Sequence, residues 1–185
     1  FVGRIQPLKG AGVAVRSLAE LNRPDATLLI VGGASGTEGE TEIAHVHALM
    51  QELKVENQVR FVAPQAHHIL STYYRAADVV LVPSRSESFG LVALEAAACG
   101  TPVVANAVGG LLTIVEHGRT GFLVPDRQPE IFARHIANIL DDPALSARMS
   151  HDAAERAKGY TWSFAAARLR RAYTDITSRD RVVCK

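Results

Sequence analysis

The sequence predicts an α/β fold, a parallel β-sheet with helices packed on both faces. Three observations carry this expectation. Short apolar runs alternate with amphipathic stretches along the chain, the pattern of repeated βα units. Between the runs, apolar residues recur at helical spacing, as Ile43, Val46, Leu49, Met50 and Leu53 do. The 185 residues contain no repeat, low-complexity segment or linker, so they make one domain.

Taken in order, the expected strands are Phe1-Val2, Thr27 to Val31, Val59 to Val62, Val79 to Val82, Pro102 to Ala105 and Gly121 to Val124. Helices are expected between them at Gly12 to Leu21, Glu42 to Leu53, His68 to Ala76, Leu91 to Cys99 and Leu111 to Glu116. Helices then continue alone at Glu130 to Leu140, Ala144 to Ala157 and Ser163 to Ile176, and Ser178 to Lys185 reads as a frayed tail. Asp141-Asp142 before Pro143 marks a helix stop and a new start. Phe1 is not an initiator Met and already reads as the end of a strand, so an upstream segment is expected.

Composition narrows the function classes. A net charge of +1 gives no general attraction to nucleic acid or membrane, so any anion must be held by a few placed cations. Cys99 and Cys184 form neither a metal-ligand spacing nor a disulfide framework. No apolar run reaches the ~18 residues of a membrane span, and no signal-peptide pattern appears. A cytoplasmic protein is expected.

In an open parallel sheet, ligands bind at the carboxyl ends of the strands, so the loops there are the informative ones. The first is GRIQPLKG, in which Arg4 offers a planar fork and Lys9 a movable point charge. The pair suits a diphosphate, and equally an ordinary solvated surface pair. The second is VPSRSESFGLVALEAAACGTPVV. Ser88-Phe89-Gly90 opens a helix there, so the N–H groups of Gly90 and Leu91 point from a positive helix end, a seat for phosphate. Glu87 stands just before that helix and Glu95 interrupts its apolar run. A carboxylate in such a run needs hydrogen-bond donors, which a ribose diol supplies and which a salt bridge or a place on the rim also would. The third loop carries Gly109-Gly110, fitted either for close approach to a ligand or for a plain strand-to-helix turn. The fourth places Pro64 and Gln65 after the third strand, where backbone groups often read a nucleobase.

Other features are set aside. VGGASG lacks the G-x-G-x-x-G dinucleotide fingerprint and reads as a glycine turn. His67-His68 and His45/His47 have no third ligand at metal spacing and read as surface histidines, so no metal site is expected. Glu87 and Glu95 as a glycosidase dyad would leave the cationic loop and the phosphate seat without a purpose.

With these residues in view, the chain resembles the C-terminal half of the GT-B fold, a Rossmann-like domain, as found in the retaining glycosyltransferases that include sucrose synthases and bacterial mannosyltransferases. The family's E-x7-E motif matches as Glu87-SFGLVAL-Glu95, and its R-x4-K as Arg4-IQPL-Lys9. The similarity extends over YRAADVVLVPS, ACGTPVVA and HGRTGFLV, essentially the whole chain. It implies that Arg4 and Lys9 bind the donor diphosphate, that Glu95 takes the ribose, and that Glu87, Ser88 and the Phe89 to Leu91 backbone meet the sugar and phosphate. The roles of Arg4, Lys9 and Glu87 in the reaction rest on the same resemblance. A finer similarity in GRIQPLK, VGGASG and YTW is to an actinobacterial subfamily acting in mycothiol synthesis. It implies transfer of N-acetylglucosamine from UDP-GlcNAc to an inositol phosphate.

Residues 1–185 are thus expected to form a donor-binding domain needing no cofactor beyond the UDP-sugar substrate. The acceptor site and a catalytic histidine would lie on an N-terminal domain absent here, and the last helix, which crosses to that domain in the family, would lie detached or repacked. Other readings are a sucrose-synthase-like or mannosyl-type transferase, a nucleotide-sugar 2-epimerase sharing the fold, and a non-catalytic nucleotide-sugar-binding module.

Overall fold

The structure, a computed structural model, describes residues 1–178. In chain order the elements are α1 (Ala11–Leu21), β1 (Leu28–Val31), α2 (Gly39–Leu53), β2 (Val59–Val62), α3 (His67–Ala76), β3 (Val80–Val82) and α4 (Leu91–Ala98). They continue with β4 (Val103–Asn106), α5 (Leu111–Ile114), β5 (Gly121–Val124), α6 (Pro129–Asp141), α7 (Pro143–Ala157) and α8 (Trp162–Ser178). The strands pair in parallel, β1 with β2, and β4 between β3 and β5.

Strand side chains alternate between faces, and both faces are covered here. Leu81 and Val104 point into an apolar cluster with Val15 and Leu18 of α1, Val46 and Leu49 of α2, and Phe132 and Ile136 of α6. Their neighbours Val80, Val82, Val103 and Ala105 point the other way, to Tyr74 of α3, Ala93 and Ala96 of α4, and Leu111 and Ile114 of α5. This is the sandwich of helices around a parallel sheet that the βα alternation predicts.

Phe1 and Val2 form less strand than expected. Val2 makes one parallel bridge to Val31, while the Phe1 backbone nitrogen donates to the Leu29 carbonyl at 2.9 Å. The sheet therefore falls into two pieces, β1–β2 and β3–β4–β5. A cavity of about 460 Å³ between them is lined by Phe1, Val2, Leu28, Val80 and Leu81, and extends to Thr27 and Asp78 at the amino ends of the strands. It lies away from the loops that carry the candidate chemistry, and none of the site residues expected from the sequence lines it.

Two helices differ from expectation. α2 starts at Gly39 because its first turn is polar and acidic, which suits a helix N-terminus but gives no apolar periodicity. α5 ends at Ile114: Val115 turns extended and stays buried, and the Glu116 N–H donates to the Thr120 hydroxyl at 2.9 Å, closing a turn before β5. α8 forms as a helix and, as expected of one detached from this domain, buries none of its residues; Trp162 is 92% exposed. The stop between α6 and α7 follows the sequence reading, with Asp142 accepting from the Leu145 N–H and Pro143 in the first turn. The expected tail beyond Ser178 lies outside the described residues. No helix among the described residues is long and apolar enough to cross a membrane.

Candidate functional site

The first loop, Gly3 to Gly10, is held by backbone bonds on both sides. The Gly3 N–H donates to the Val31 carbonyl at 3.0 Å, Ile5 to Gly33 at 2.8 Å, and Arg85 to Leu8 at 2.8 Å. The glycine turn VGGASG has its purpose here: a Cβ on Gly32 would lie 1.8 Å from the Gly3 carbonyl oxygen. The turn lets loop one approach. On the far side, Arg127 donates through Nε to the Pro83 carbonyl at 2.9 Å. The loops after β1 and β3 thus clamp the chain between them.

Lys9 reaches across to the second loop. Its Nζ lies 2.7 Å from Oε2 of Glu87, and the two side chains are only 22% and 16% exposed. Arg4 is exposed and, among the described residues, forms no hydrogen bond or ion pair. The sequence reading joined Arg4 with Lys9; the fold joins Lys9 with Glu87.

The Glu87–Phe89 backbone is supported from below by Gly109-Gly110. The Gly110 N–H donates to the Glu87 carbonyl at 2.9 Å. A Cβ on Gly109, whose φ is +51°, would sit 2.0 Å from that carbonyl oxygen, and one on Gly110 would sit 2.2 Å from the Phe89 oxygen. The close approach that these glycines permit is to the neighbouring loop. Gly90 follows with φ 97° and caps α4, and no side chain satisfies the first-turn N–H groups of that helix. Ser88, Phe89 and Leu91 are exposed around them. The helix start is therefore open to an anion.

Glu95 stands one turn further on with its side chain 26% exposed. The Tyr74 hydroxyl donates to its Oε2 at 2.8 Å, and His67 Nδ1 lies 3.7 Å from its Oε1. Burial first, and then the Glu95 carboxylate, push the Tyr74 hydroxyl well above its ordinary pKa, so it remains a donor. Tyr74 escaped the sequence reading, and His67 was read there only as a surface histidine. His67 is a surface residue as expected, at 81% side-chain exposure, but it faces a candidate ligand-binding group. The one signal available was that both precede β3 on the helix beside α4. Pro64 lies on the rim, exposed, and packs near Gly33, where an added Cβ would be 3.0 Å from its Cγ. Gln65 bonds the Ala63 carbonyl at 2.8 Å. No cluster of three or more metal-ligating side chains occurs among the described residues.

The site is thus a rim of loops at the carboxyl ends of β1 to β4, with Lys9 paired to Glu87, Arg4 without a partner among the described residues, an open helix start and a second, half-exposed carboxylate. Against this geometry, residues 1–156 match the family model described as glycosyl transferases group 1. The chain belongs to that family. A D-inositol 3-phosphate glycosyltransferase of Catenulispora acidiphila is 47% identical over 186 residues, covering 97% of this chain and 42% of the relative. Sucrose-phosphate synthase from Thermosynechococcus elongatus superposes with a TM-score of 0.86 at 37% identity, over 96% of this chain and 45% of that one. The Anabaena protein HepE, solved in complex with UDP-glucose, gives 0.84 at 30% identity, over 96% and 49%. The chain spans less than half the length of each. These group 1 glycosyl transferases share the Rossmann-like GT-B architecture expected from the sequence.

Proposed function

We propose that this chain is the donor-binding part of a retaining glycosyltransferase, moving N-acetylglucosamine from UDP-GlcNAc onto a hydroxyl of an inositol phosphate. The observation that carries the reading is the convergence of Lys9, Glu87, the open start of α4 and Glu95 on one rim. The relatives support it: one is named for an inositol phosphate acceptor, and another holds UDP-glucose. The acceptor side and the catalytic histidine belong, on this reading, to a second domain, and a cytoplasmic setting completes it.

The donor diphosphate lies against the start of α4, with Lys9 and Arg4 on its oxygens. As the bond from the anomeric carbon to the phosphate oxygen breaks, its electron pair stays on UDP, and these groups stabilise the growing charge. Each charge-assisted hydrogen bond contributes on the order of 1.5–3 kcal/mol. The acceptor oxygen then bonds the anomeric carbon from the face the phosphate leaves, its proton passing to the departing phosphate oxygen, giving retention. An ammonium has three donors, so Lys9 can keep Glu87 while meeting a phosphate. Glu95 accepts from the ribose hydroxyls, Glu87 from a hydroxyl of the transferred sugar, and Pro64 and Gln65 border the base.

No metal is needed on this reading, because cations and helix end face the diphosphate directly. Calorimetry with UDP should give the same affinity with and without EDTA, and complete loss on chelation would sink the reading. Lys9→Ala should weaken UDP about tenfold or more and leave uridine nearly untouched.

A further inference from the structure

We propose that Tyr74 is a positioning residue that makes Glu95 selective for a ribose diol. The proposal rests on the reading of Glu95 as the ribose acceptor. Tyr74 is 2% exposed, with its ring inside the apolar cluster formed by α3, α4 and β3. Its own carbonyl accepts from the Thr101 hydroxyl at 2.6 Å, which ties the end of α3 to the loop after α4. Ring and backbone are therefore both fixed, and the hydroxyl is delivered to one place, Oε2 of Glu95 at 2.8 Å.

This has a consequence for the carboxylate. A glutamate on a helix surface samples several rotamers, and an acceptor that must be found among them selects poorly. A hydrogen bond from an immobile ring holds one rotamer and engages Oε2, leaving Oε1 to face the rim, where His67 approaches it to 3.7 Å. A pair of vicinal hydroxyls then meets a fixed acceptor with its remaining lone pairs directed outward. Because Tyr74 never touches the ligand, removing its hydroxyl should cost affinity only through Glu95.

The test measures binding of UDP and of 2′,3′-dideoxy-UDP to the 185-residue chain carrying Tyr74→Phe, Glu95→Ala or both, with thermal melts confirming the fold. Tyr74→Phe should weaken UDP roughly three- to tenfold and leave the dideoxy analogue unchanged. In the Glu95→Ala background the same substitution should have no further effect on UDP. Replacing Tyr74 by 3-fluorotyrosine, which keeps the hydroxyl, should preserve the wild-type ratio of the two affinities. Equal weakening of both ligands, an undiminished effect without Glu95, or no effect on UDP would each overturn the proposal. If Glu95→Ala itself leaves the ratio unaltered, the ribose reading of Glu95 fails, and the role of Tyr74 fails with it. A ratio lost in Glu95→Ala but kept in Tyr74→Phe overturns Tyr74 alone.

Discussion

The ion pair between Lys9 and Glu87 joins residues that are 78 positions apart, and it changes what each is expected to do. With Glu87 ionised at 2.7 Å, part of the Lys9 charge is already compensated before any phosphate arrives. Glu87→Gln should therefore leave UDP affinity unchanged or raise it by a few-fold, since Lys9 becomes fully available. The intact UDP-sugar should bind less tightly, because the proposed contact to a sugar hydroxyl weakens. Parallel titrations with the two ligands check this. A drop in UDP affinity as large as that caused by Glu95→Ala would make Glu87 an anchor of the phosphate loop instead. The identities of Lys9, Glu87 and Glu95 were legible in the sequence because charged residues stand out in loops at strand ends and within an apolar helix. Their partners were not. Whether Lys9 meets Arg4 or Glu87, and whether Tyr74 reaches Glu95, depends on how loops from distant segments converge, which no local periodicity records.

At the scale of elements, the parallel sheet and most helices were legible, because the periods of the apolar residues are local properties of the chain. The misread ends have local causes of another kind: a polar first turn in α2, and a buried Val115 that leaves α5 to close the turn before β5. Gly109-Gly110 illustrates a feature whose position was legible but whose partner was not. Packing on the Glu87–Phe89 backbone is a tertiary fact, and it makes a sharp prediction. Gly110→Ala would place a methyl 2.2 Å from the Phe89 oxygen, against backbone that cannot swing aside. The variant should lose about 1–3 kcal/mol of stability, and UDP should bind more weakly because the start of α4 moves. Denaturant melts and titration of the same variant test both parts. Unchanged values for both would show that the contact between the two loops is slack. α8 presents Trp162, Leu169, Tyr173 and Ile176 to solvent, so the apolar spacing that marks it as a helix is not spent on this domain's core.

For the whole molecule, acidity is a lever. His135 stacks on Phe122 with ring centroids 4.2 Å apart, and its Nδ1 is buried with no hydrogen-bond partner among the described residues. Burial first, then His117 and Arg134, hold its pKa below the ordinary 6.5. The folded protein thus resists a proton that the unfolded chain accepts, so this neutral imidazole stabilises the fold above pH 6.5 and the contribution is lost as pH falls below it. Melting temperature should fall from neutral pH toward pH 5, and His135→Phe should flatten the part of that fall below the imidazole's ordinary pKa. An unaltered slope in the variant would show that His135 does not contribute.

The division of the sheet has a further consequence. Lys9 hangs from the β1–β2 piece, whereas Glu87, the start of α4 and Glu95 belong to the β3–β4–β5 piece. On the proposed reading, a nucleotide spanning them would act as a reversible cross-link over a seam that strand pairing leaves nearly open among the described residues. Mass action alone gives about 2.7 kcal/mol of stabilisation at a hundredfold excess over Kd. Where that protection falls is set by the seam. Amide protons of β1 and of Gly3 to Lys9 should slow in hydrogen exchange together with those of β3 and α4, so that occupied protein opens as one cooperative unit where the empty protein opens as two.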